Sequence, residues 1–211
     1  NLKRDDTQIS AGRYHNFKDF MGFPKLDNPE LDSPSFVPLR HQKIEATQSL
    51  FQKIGQEDLM LHFPYQSYFP VIDLLREAAI DPRVESIKMT LYRVARRSNI
   101  INALVNARKN GKKVVAVLEL QARFDEAANI AWAKTLQESG IIVQHGPQNM
   151  KIHAKLCLIG RREDDGQLKY YGCIGTGNFN EDTAKVYADS VLFTAHKGIT
   201  KDLEKVFKTI G

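Results

Sequence analysis

From residue 41 onward, short apolar runs alternate with longer amphipathic segments, and this alternation restricts the fold more than any other feature of the sequence. The clearest apolar run, at residues 113–120, lies between helix patterns at 99–109 and 125–139. A short, valine-rich run of this kind is typical of a parallel strand that is buried on both faces. Strands that alternate with helices of about 10–15 residues predict an α/β sandwich.

The remaining patterns predict the other elements of this sandwich. Apolar residues at helical spacing predict helices at residues 41–54, 68–79 and 200–210. Alternating or apolar runs predict strands at residues 58–63, 84–94, 141–144, 152–159, 168–174 and 186–194. Ser98 is a predicted N-cap, and Gly55 and Gly111 are predicted helix stops. Turn residues at 164–166 join two strands into an antiparallel pair, so we expect a mixed sheet, parallel in the middle and flanked by helices.

Residues 1–40 differ from the rest of the chain. Four prolines divide this segment, with Asp, Asn and Ser between them. This composition predicts an irregular lead-in or linker. Residues 41–211 are long enough for one sizeable domain with its own core. The sequence begins with Asn1 rather than Met, so we expect a piece of a longer protein.

Composition excludes several classes of protein. Hydrophobic residues make up 42% and charged residues 26%, which is ordinary for a globular domain and not for a disordered chain. No apolar run approaches the roughly 18 residues of a transmembrane helix. Cys157 and Cys173 lie in strand-like runs, so we expect buried, reduced thiols and a cytoplasmic location, with peripheral membrane association left open. The net charge of +5 permits an anionic partner, although solubility explains it equally well.

His153 and Lys155 are the first candidate site residues. On a strand, residues two apart point to the same face, so an imidazole and an ammonium are expected side by side. The cation disfavours protonated histidine and can hold a phosphate oxygen, which suits nucleophilic attack on phosphorus. A histidine bonded to a backbone carbonyl beside a solvated lysine explains the pattern without any chemistry.

The run Gly175-Thr176-Gly177-Asn178-Phe179-Asn180 strengthens the functional interpretation. Its glycines allow a ligand to approach the backbone closely. Thr176 and Asn178 are expected to donate hydrogen bonds to phosphate oxygens or to the imidazole. A tight turn is the alternative explanation, because glycine and asparagine are frequent turn residues.

His-x-Lys followed by Gly-Thr-x-Asn resembles the phospholipase D superfamily, whose members attack phosphorus with a histidine, usually from paired half-sites. Two features depart from that pattern: Gly160 stands where an Asp often follows, and the spacing from His153 to Gly175 is long. Longer strings are similar to bacterial polyphosphate kinase, the type that synthesises long chains. They lie at residues 13–20, 91–95, 119–126, 151–156 and 174–180.

This second resemblance implies that residues 41–211 form a phospholipase-D-like catalytic domain, an α/β sandwich that is the first of two such domains in a longer protein. It implies ATP-dependent phosphoryl transfer to inorganic polyphosphate through a phosphohistidine at His153. Arg93 and Arg123 match arginines at the phosphate and Mg²⁺ site, and Tyr187 matches a tyrosine near the nucleotide. Cys173 replaces a histidine found in some members.

The implied partners are ATP or ADP, polyphosphate, the remaining domains and a second copy of the full-length chain, with no nucleic acid and no transmembrane segment. This chain contains a single His-x-Lys, so we expect the isolated fragment to be inactive.

The two arginines also suit this chemistry on physical grounds. A guanidinium is a planar, permanently charged fork that binds phosphate oxygens with two hydrogen bonds. A salt bridge to a nearby acid, such as Arg123 with Asp125 or Glu126, is an equal alternative for either residue alone. Because arginine is not a metal ligand, we expect no direct protein ligand for Mg²⁺, which phosphates near Arg93 and Arg123 would hold.

Two other functions remain open at this point. A phosphodiesterase or nuclease of the phospholipase D superfamily would use the same nucleophile, pair His153 across a homodimer and need no ATP. A non-enzymatic polyanion-binding module would use only the positive charge. Labelling of His153 by ATP would separate the kinase from both.

Overall fold

The computed structural model describes residues 28–31, 34, 36–44, 47–95, 97–119, 126–147 and 150–210. The chain divides into two units, Asn1–Phe36 and Val37–Gly211. In the first unit, Pro29–Leu31 form a turn of 3₁₀ helix. Most of the predicted lead-in lies outside the described residues, and the boundary predicted at residue 40 stays a prediction.

The described part of the second unit contains five α-helices and seven strands. The helices are α1 (Leu50–Gln56), α2 (Phe69–Ile80), α3 (Asn99–Lys109), α4 (Glu126–Glu138) and α5 (Lys197–Ile210). The strands are β1 (Leu59–Phe63), β2 (Val84–Leu91), β3 (Lys113–Leu118), β4 (Ile142–Gln144), β5 (Lys155–Arg162), β6 (Leu168–Gly175) and β7 (Asp189–Thr194).

The seven strands form one mixed sheet in the order β1-β7-β6-β5-β2-β3-β4. β2 pairs with β3 and β3 with β4 in parallel, whereas all the other pairs are antiparallel. The predicted α/β fold with a mixed sheet flanked by helices is therefore confirmed. Its parallel part lies toward one edge of the sheet and not in the middle.

The two faces of the sheet bury separate apolar clusters. Alternate residues such as Ile87, Met89 and Leu91 pack against α1, α2, α3 and α4 on one face. On the other face, Leu203 and Phe207 of α5 pack against residues of β3 and β5. This arrangement follows from the period of two in each strand, which directs successive side chains to opposite faces.

The helix predicted at 99–109 is confirmed as α3, together with both of its end signals. The Ser98 hydroxyl accepts the N–H of Ile101 at 3.2 Å and so caps the first turn. Gly111 has a φ of 82°, in the left-handed region that glycine adopts without strain. The local sequence was sufficient to predict α3, because Ser98 and Gly111 lie within a few residues of the helix ends that they mark.

The helix predicted at 41–54 is wrong in its first part. α1 begins only at Leu50, and Ser49 is its N-cap, with the Gln52 N–H donating to Ser49 Oγ at 3.2 Å. The Glu77 carboxylate of α2 accepts the Leu50 N–H at 2.8 Å and also bonds the Ser49 hydroxyl. A distant carboxylate thus stabilises the start of α1. Gly55, the predicted stop, lies inside the helix.

Three strand boundaries at one edge of the sheet differ from the prediction by three residues each. β2 ends at Leu91 rather than 94, β5 begins at Lys155 rather than 152, and β7 begins at Asp189 rather than 186. Residues Thr183–Lys185 form a 3₁₀ helix before β7. All three boundaries lie at the same edge of the sheet. There, the hydroxyls of Thr90 and Thr176 accept backbone N–H groups of Leu156 and Ser190, which a neighbouring strand would otherwise accept.

The two cysteines are buried and free, as predicted. Cys157 and Cys173 are directly opposite each other in the pairing of β5 with β6. Burial raises the pKa of the Cys157 thiol to about 12, and it also raises the pKa of Cys173. Both side chains therefore behave as small apolar groups. Within the described residues, no helix combines the length and apolar character that crossing a membrane requires.

Candidate functional site

The sheet topology gathers the candidate residues at one edge. β2 and β3 end there, and β5 begins there because it runs antiparallel to β2, with Met89 opposite Cys157. β6 ends there too, with Gly175 opposite Lys155. We refer to the loops at this edge as the site rim. The structure places five predicted site residues on it: Arg93, His153, Lys155, Thr176 and Asn178. Arg123 lies outside the described residues.

His153 precedes β5 and is not on a strand, so the predicted strand position is wrong. The backbone pairing of β2 with β5 ends before Thr90. The Thr90 hydroxyl donates to the Ala154 carbonyl at 2.7 Å. The same oxygen accepts the Leu156 N–H at 2.9 Å. A side chain therefore replaces the backbone partner where β5 begins, and His153 is left on an exposed loop.

His153 and Lys155 nevertheless meet at one aromatic ring. The His153 and Tyr92 rings form an edge contact, with their centroids 5.2 Å apart and their planes at 78°. The Lys155 Nζ lies 5.2 Å from the centroid of the same Tyr92 ring. Lys155 Nζ also donates a hydrogen bond to the His153 carbonyl. An exposed imidazole and a buried ammonium thus share one aromatic ring, and the ammonium is also bonded to the histidine carbonyl.

Lys155 is a buried cation, with 5% of its surface exposed. Within the described part of the chain, no carboxylate lies within ion-pair distance of its Nζ. Burial lowers the pKa of the Lys155 ammonium, and the negative charge of Asp189 works in the opposite direction. An ammonium held in this way gains stabilisation from any anion that reaches the rim.

Thr176 is engaged within the protein rather than open to a ligand. Its N–H donates to the Ser190 carbonyl at 3.0 Å, and its hydroxyl donates to Asp189 Oδ1 at 2.8 Å. The same hydroxyl accepts the Ser190 N–H at 2.9 Å. A Cβ at Gly177 would lie 2.1 Å from Asp189 Oδ2, so this glycine makes room for a carboxylate of the protein itself.

Asn178 and Tyr187 are placed differently from Thr176. The Asn178 Oδ1 atom is buried and accepts no hydrogen bond from the described part of the chain. The Tyr187 side chain is 56% exposed, just beyond the 3₁₀ helix, and its N–H donates to the Thr183 carbonyl at 2.9 Å. Tyr187 is therefore a surface side chain and not a core residue.

Sequence reasoning missed the polar residues that hold the rim together. Asn129 of α4 is fully buried, and its Nδ2 donates to the carbonyls of Tyr92 at 2.7 Å and Glu119 at 2.8 Å. Glu119 Oε2 accepts the Ile152 N–H at 2.9 Å. Asn129 thus ties the ends of β2 and β3 together, and Glu119 ties β3 to the loop that carries His153. Two features of the sequence could have indicated these residues. One is an Asn on the apolar face of α4, and the other is an acid at the end of an apolar run.

The geometry suits attack on a negatively charged electrophile. His153 offers an exposed nitrogen nucleophile, and the neighbouring Lys155 offers a positive charge that is not neutralised by direct contact with an acid of the described chain. Arg93, half-buried directly after β2, lies on the same rim.

Proteins named polyphosphate kinase are similar to this chain over nearly its whole length. A family model described as "Polyphosphate kinase C-terminal domain 1" matches residues 49–211. The polyphosphate kinase of Yersinia pestis is 46% identical over 209 residues, which is 99% of this chain and 30% of that protein. That of Escherichia coli K12 is 46% identical over 211 residues, with the same two shares. The chain therefore spans about a third of the length of these relatives.

Solved structures give a consistent result. The crystal structure of polyphosphate kinase from Porphyromonas gingivalis superposes with a TM-score of 0.78 at 38% identity, covering 96% of this chain and 34% of that one. Nuc, a phospholipase D family member from Salmonella typhimurium, superposes with a TM-score of 0.54 at 21% identity, covering 72% of this chain and 91% of that one. The second likeness concerns the fold alone.

Proposed function

Because this chain belongs to the polyphosphate kinase family, we propose that it carries the nucleophile of an enzyme that transfers the γ-phosphoryl group of ATP to inorganic polyphosphate. The observation that carries the proposal is the pairing of exposed His153 with buried Lys155 at the Tyr92 ring. An exposed imidazole provides the nucleophile, and the adjacent ammonium provides charge stabilisation.

The reaction has two steps that share one nucleophile. A lone pair of the His153 imidazole forms a bond to the γ-phosphorus of ATP, the bond from that phosphorus to the bridging oxygen breaks, and ADP leaves. The terminal oxygen of a polyphosphate chain then attacks the phosphohistidine, and the nitrogen–phosphorus bond breaks. Both the phosphohistidine and the anhydride are high-energy phosphates, so the reaction is reversible.

The basic residues of the rim would stabilise the negative charge of this transfer. Lys155 lies beside the nucleophile, and Arg93 follows the neighbouring strand. Arg123 is assigned the same role from the family resemblance. Asn178 would donate the N–H groups of its side-chain amide to phosphate, and Thr176, whose hydroxyl and N–H already donate to Asp189 and Ser190, would fix the loop that carries Asn178. Tyr187, exposed near the rim, would contact the nucleotide.

Mg²⁺ would enter as part of the nucleotide substrate. Among the described residues, no group of three or more His, Cys, Asp or Glu side chains is arranged to hold a metal ion. The rim carboxylates are engaged, with Glu119 bonded to the Ile152 N–H and Asp189 to the Thr176 hydroxyl. In this proposal phosphate oxygens would hold the metal, and Arg93 and Arg123 would lie near those phosphates. When bound, Mg²⁺ would offset part of the phosphate charge.

Labelling with γ-³²P-ATP tests the nucleophile directly. In the full-length polyphosphate kinase that contains this chain, we expect acid-labile label on His153 and none in His153→Ala. His145→Ala is the matched control, because His145 is also exposed and follows β4 at the same edge. Label that persists in His153→Ala, or that maps to His145 or His196, would contradict the assignment. Cleavage of a model phosphodiester without ATP would favour a phosphodiesterase instead.

A further inference from the structure

We infer that Asn180 and Glu181 are positioning residues that set the place of Arg93 at the site rim, an inference that rests on the proposed function. Asn180 ends the run from Gly175 to Asn180 and Glu181 directly follows it, and neither was a candidate site residue from the sequence. They are separated from Arg93 by more than 80 residues along the chain, yet the structure brings them against both ends of the loop that contains it.

Asn180 holds the beginning of that loop. Its side chain is 4% exposed, and its Nδ2 donates to the Arg93 carbonyl at 3.3 Å. Its Oδ1 accepts the N–H groups of Asp182 at 2.9 Å and Thr183 at 3.1 Å. Both ends of the amide are therefore occupied, which fixes its orientation. The amide joins the Arg93 backbone to the loop after β6.

Glu181 holds the end of the same loop. Its carboxylate accepts the N–H of Asn99, the first residue of α3, and that of Ile100 at 3.4 Å. The Ser98 hydroxyl lies 3.5 Å from both carboxylate oxygens. Negative charge at the N-terminus of an 11-residue helix is favourable, because the unpaired N–H groups and the helix dipole both point toward it.

Asn180 and Glu181 join the loop of Arg93 to the loop of Thr176 and Asn178. The loop from Arg93 to Asn99 is held at both ends by consecutive residues of the loop that also carries Thr176 and Asn178. These bonds fix the Arg93 backbone, from which the guanidinium extends, relative to the loop that carries Thr176 and Asn178. Transfer of a phosphoryl group is sensitive to such placement, since a displacement of about 1 Å can cost about 10²-fold in rate.

The chain offers a matched control for the loss of a helix-capping carboxylate. Glu77 caps α1 in the same way, accepting the Leu50 N–H at 2.8 Å and bonding the Ser49 hydroxyl. Neither α1 nor Glu77 contributes to the site rim. Glu77→Gln therefore removes a comparable capping charge without touching the loop of Arg93.

The experiment measures single-turnover phosphorylation of His153 in the full-length enzyme, at a temperature where every variant is folded by circular dichroism. We expect Asn180→Ala and Glu181→Gln to slow this step by about 10-fold or more, with little change in the KM for ATP. Glu77→Gln should lower the unfolding temperature by a similar amount and leave the rate unchanged. Equal rates for Glu181→Gln and Glu77→Gln would overturn the inference.

A double-mutant cycle with Arg93→Ala separates this inference from the proposed function. If Asn180 and Glu181 act through Arg93, then Glu181→Gln should cause no further loss in the Arg93→Ala background. Additive losses would overturn the inference and leave the role of Arg93 intact. An Arg93→Ala enzyme with normal transfer would instead contradict the role of Arg93 in the proposed function, and the inference with it.

Discussion

Two buried cations on one strand, Lys155 and Arg161, lie toward opposite edges of the sheet and differ in how the surrounding protein compensates their positive charge. Both residues lie on β5, and each is 5% exposed. Lys155 begins the strand at the site rim, and Arg161 lies near its other end. The two side chains share the strand, the extent of burial and the sign of the charge. Any difference in how these charges are compensated therefore comes from the groups that contact each side chain.

Arg161 is neutralised by direct ion pairs. Its Nε lies 2.8 Å from Asp81 Oδ2, and its Nη1 lies 2.6 Å from Glu163 Oε2. Tyr171 donates a further hydrogen bond to Glu163 at 2.9 Å. Burial alone would lower the pKa of Arg161, but the hydrogen bonds to Glu163 and Asp81 outweigh it and raise the pKa. This cation is a structural one, because its charge is satisfied within the protein.

Among the described residues, Lys155 has only a backbone carbonyl, an aromatic face and a more distant carboxylate to stabilise it. An incompletely compensated buried charge is costly to a fold unless a ligand completes it. This contrast is the reason to propose that Lys155 stabilises the charge of a substrate, whereas the charge of Arg161 is already compensated by Asp81 and Glu163. Substitutions at Lys155, Arg93, Arg161 and Asp189 test this contrast.

Lys155→Met should have the largest effect on catalysis. We expect single-turnover transfer in the full-length enzyme to fall by about 10²–10³-fold, because a charge that stabilises the transferring phosphoryl group is lost. Stability should stay equal or increase, since a poorly compensated buried charge is removed. Lys151→Met, an exposed lysine on the same loop, is the control. Normal transfer in Lys155→Met would show that Lys155 is structural.

Arg93→Ala should slow transfer by about 10²-fold, as loss of a charged donor at a phosphoryl site usually does. Arg93→Lys should recover only part of this rate, because an ammonium cannot form the two parallel hydrogen bonds of a guanidinium. Arg162→Ala is the control, since Arg162 is exposed and paired with Glu85 at 2.6 Å at the opposite edge. Full activity in Arg93→Lys would favour a salt bridge over phosphate binding.

Arg161→Met should affect stability and not chemistry. Removing one partner leaves Asp81 and Glu163 without their cation, at a cost of about 3–5 kcal/mol in the free energy of unfolding. Denaturant unfolding measures this loss, and transfer per folded molecule should be unchanged below the transition. A large loss of transfer without loss of stability would show that the two cations do not differ as proposed.

Asp189→Asn should have the smallest effect, a shift in pH dependence. Burial lowers the pKa of Lys155, and Asp189 raises it, so removing the carboxylate charge lowers that pKa further. Less of the ammonium is then charged at high pH, and the alkaline limb of the transfer rate should move to lower pH. Asn can still accept the Thr176 hydroxyl hydrogen bond. The control is Asp182→Asn, an exposed acid of the same loop. An unchanged alkaline limb would contradict the coupling.

Local patterns in the sequence were sufficient to predict the class of fold, most of the elements and the candidate nucleophile. Helix and strand periods are local properties, so α3 with its Ser98 cap, the β5–β6 hairpin and the buried β3 run were predictable. The strings around His153 and Gly175 were sufficient to indicate the family. Where a distant group set the boundary, as Glu77 does at α1, local patterns failed.

The tertiary structure alone decided which side chains meet at the rim. The order of strands places β5 beside β2, and only this pairing brings Tyr92 to both His153 and Lys155. The same holds for Asn129 beneath Tyr92 and for Asn180 against Arg93. Such contacts join residues from about 40 to 90 positions apart, and a local period carries no information about them. Burial of Lys155, and with it the shift in its pKa, exists only once these strands have paired.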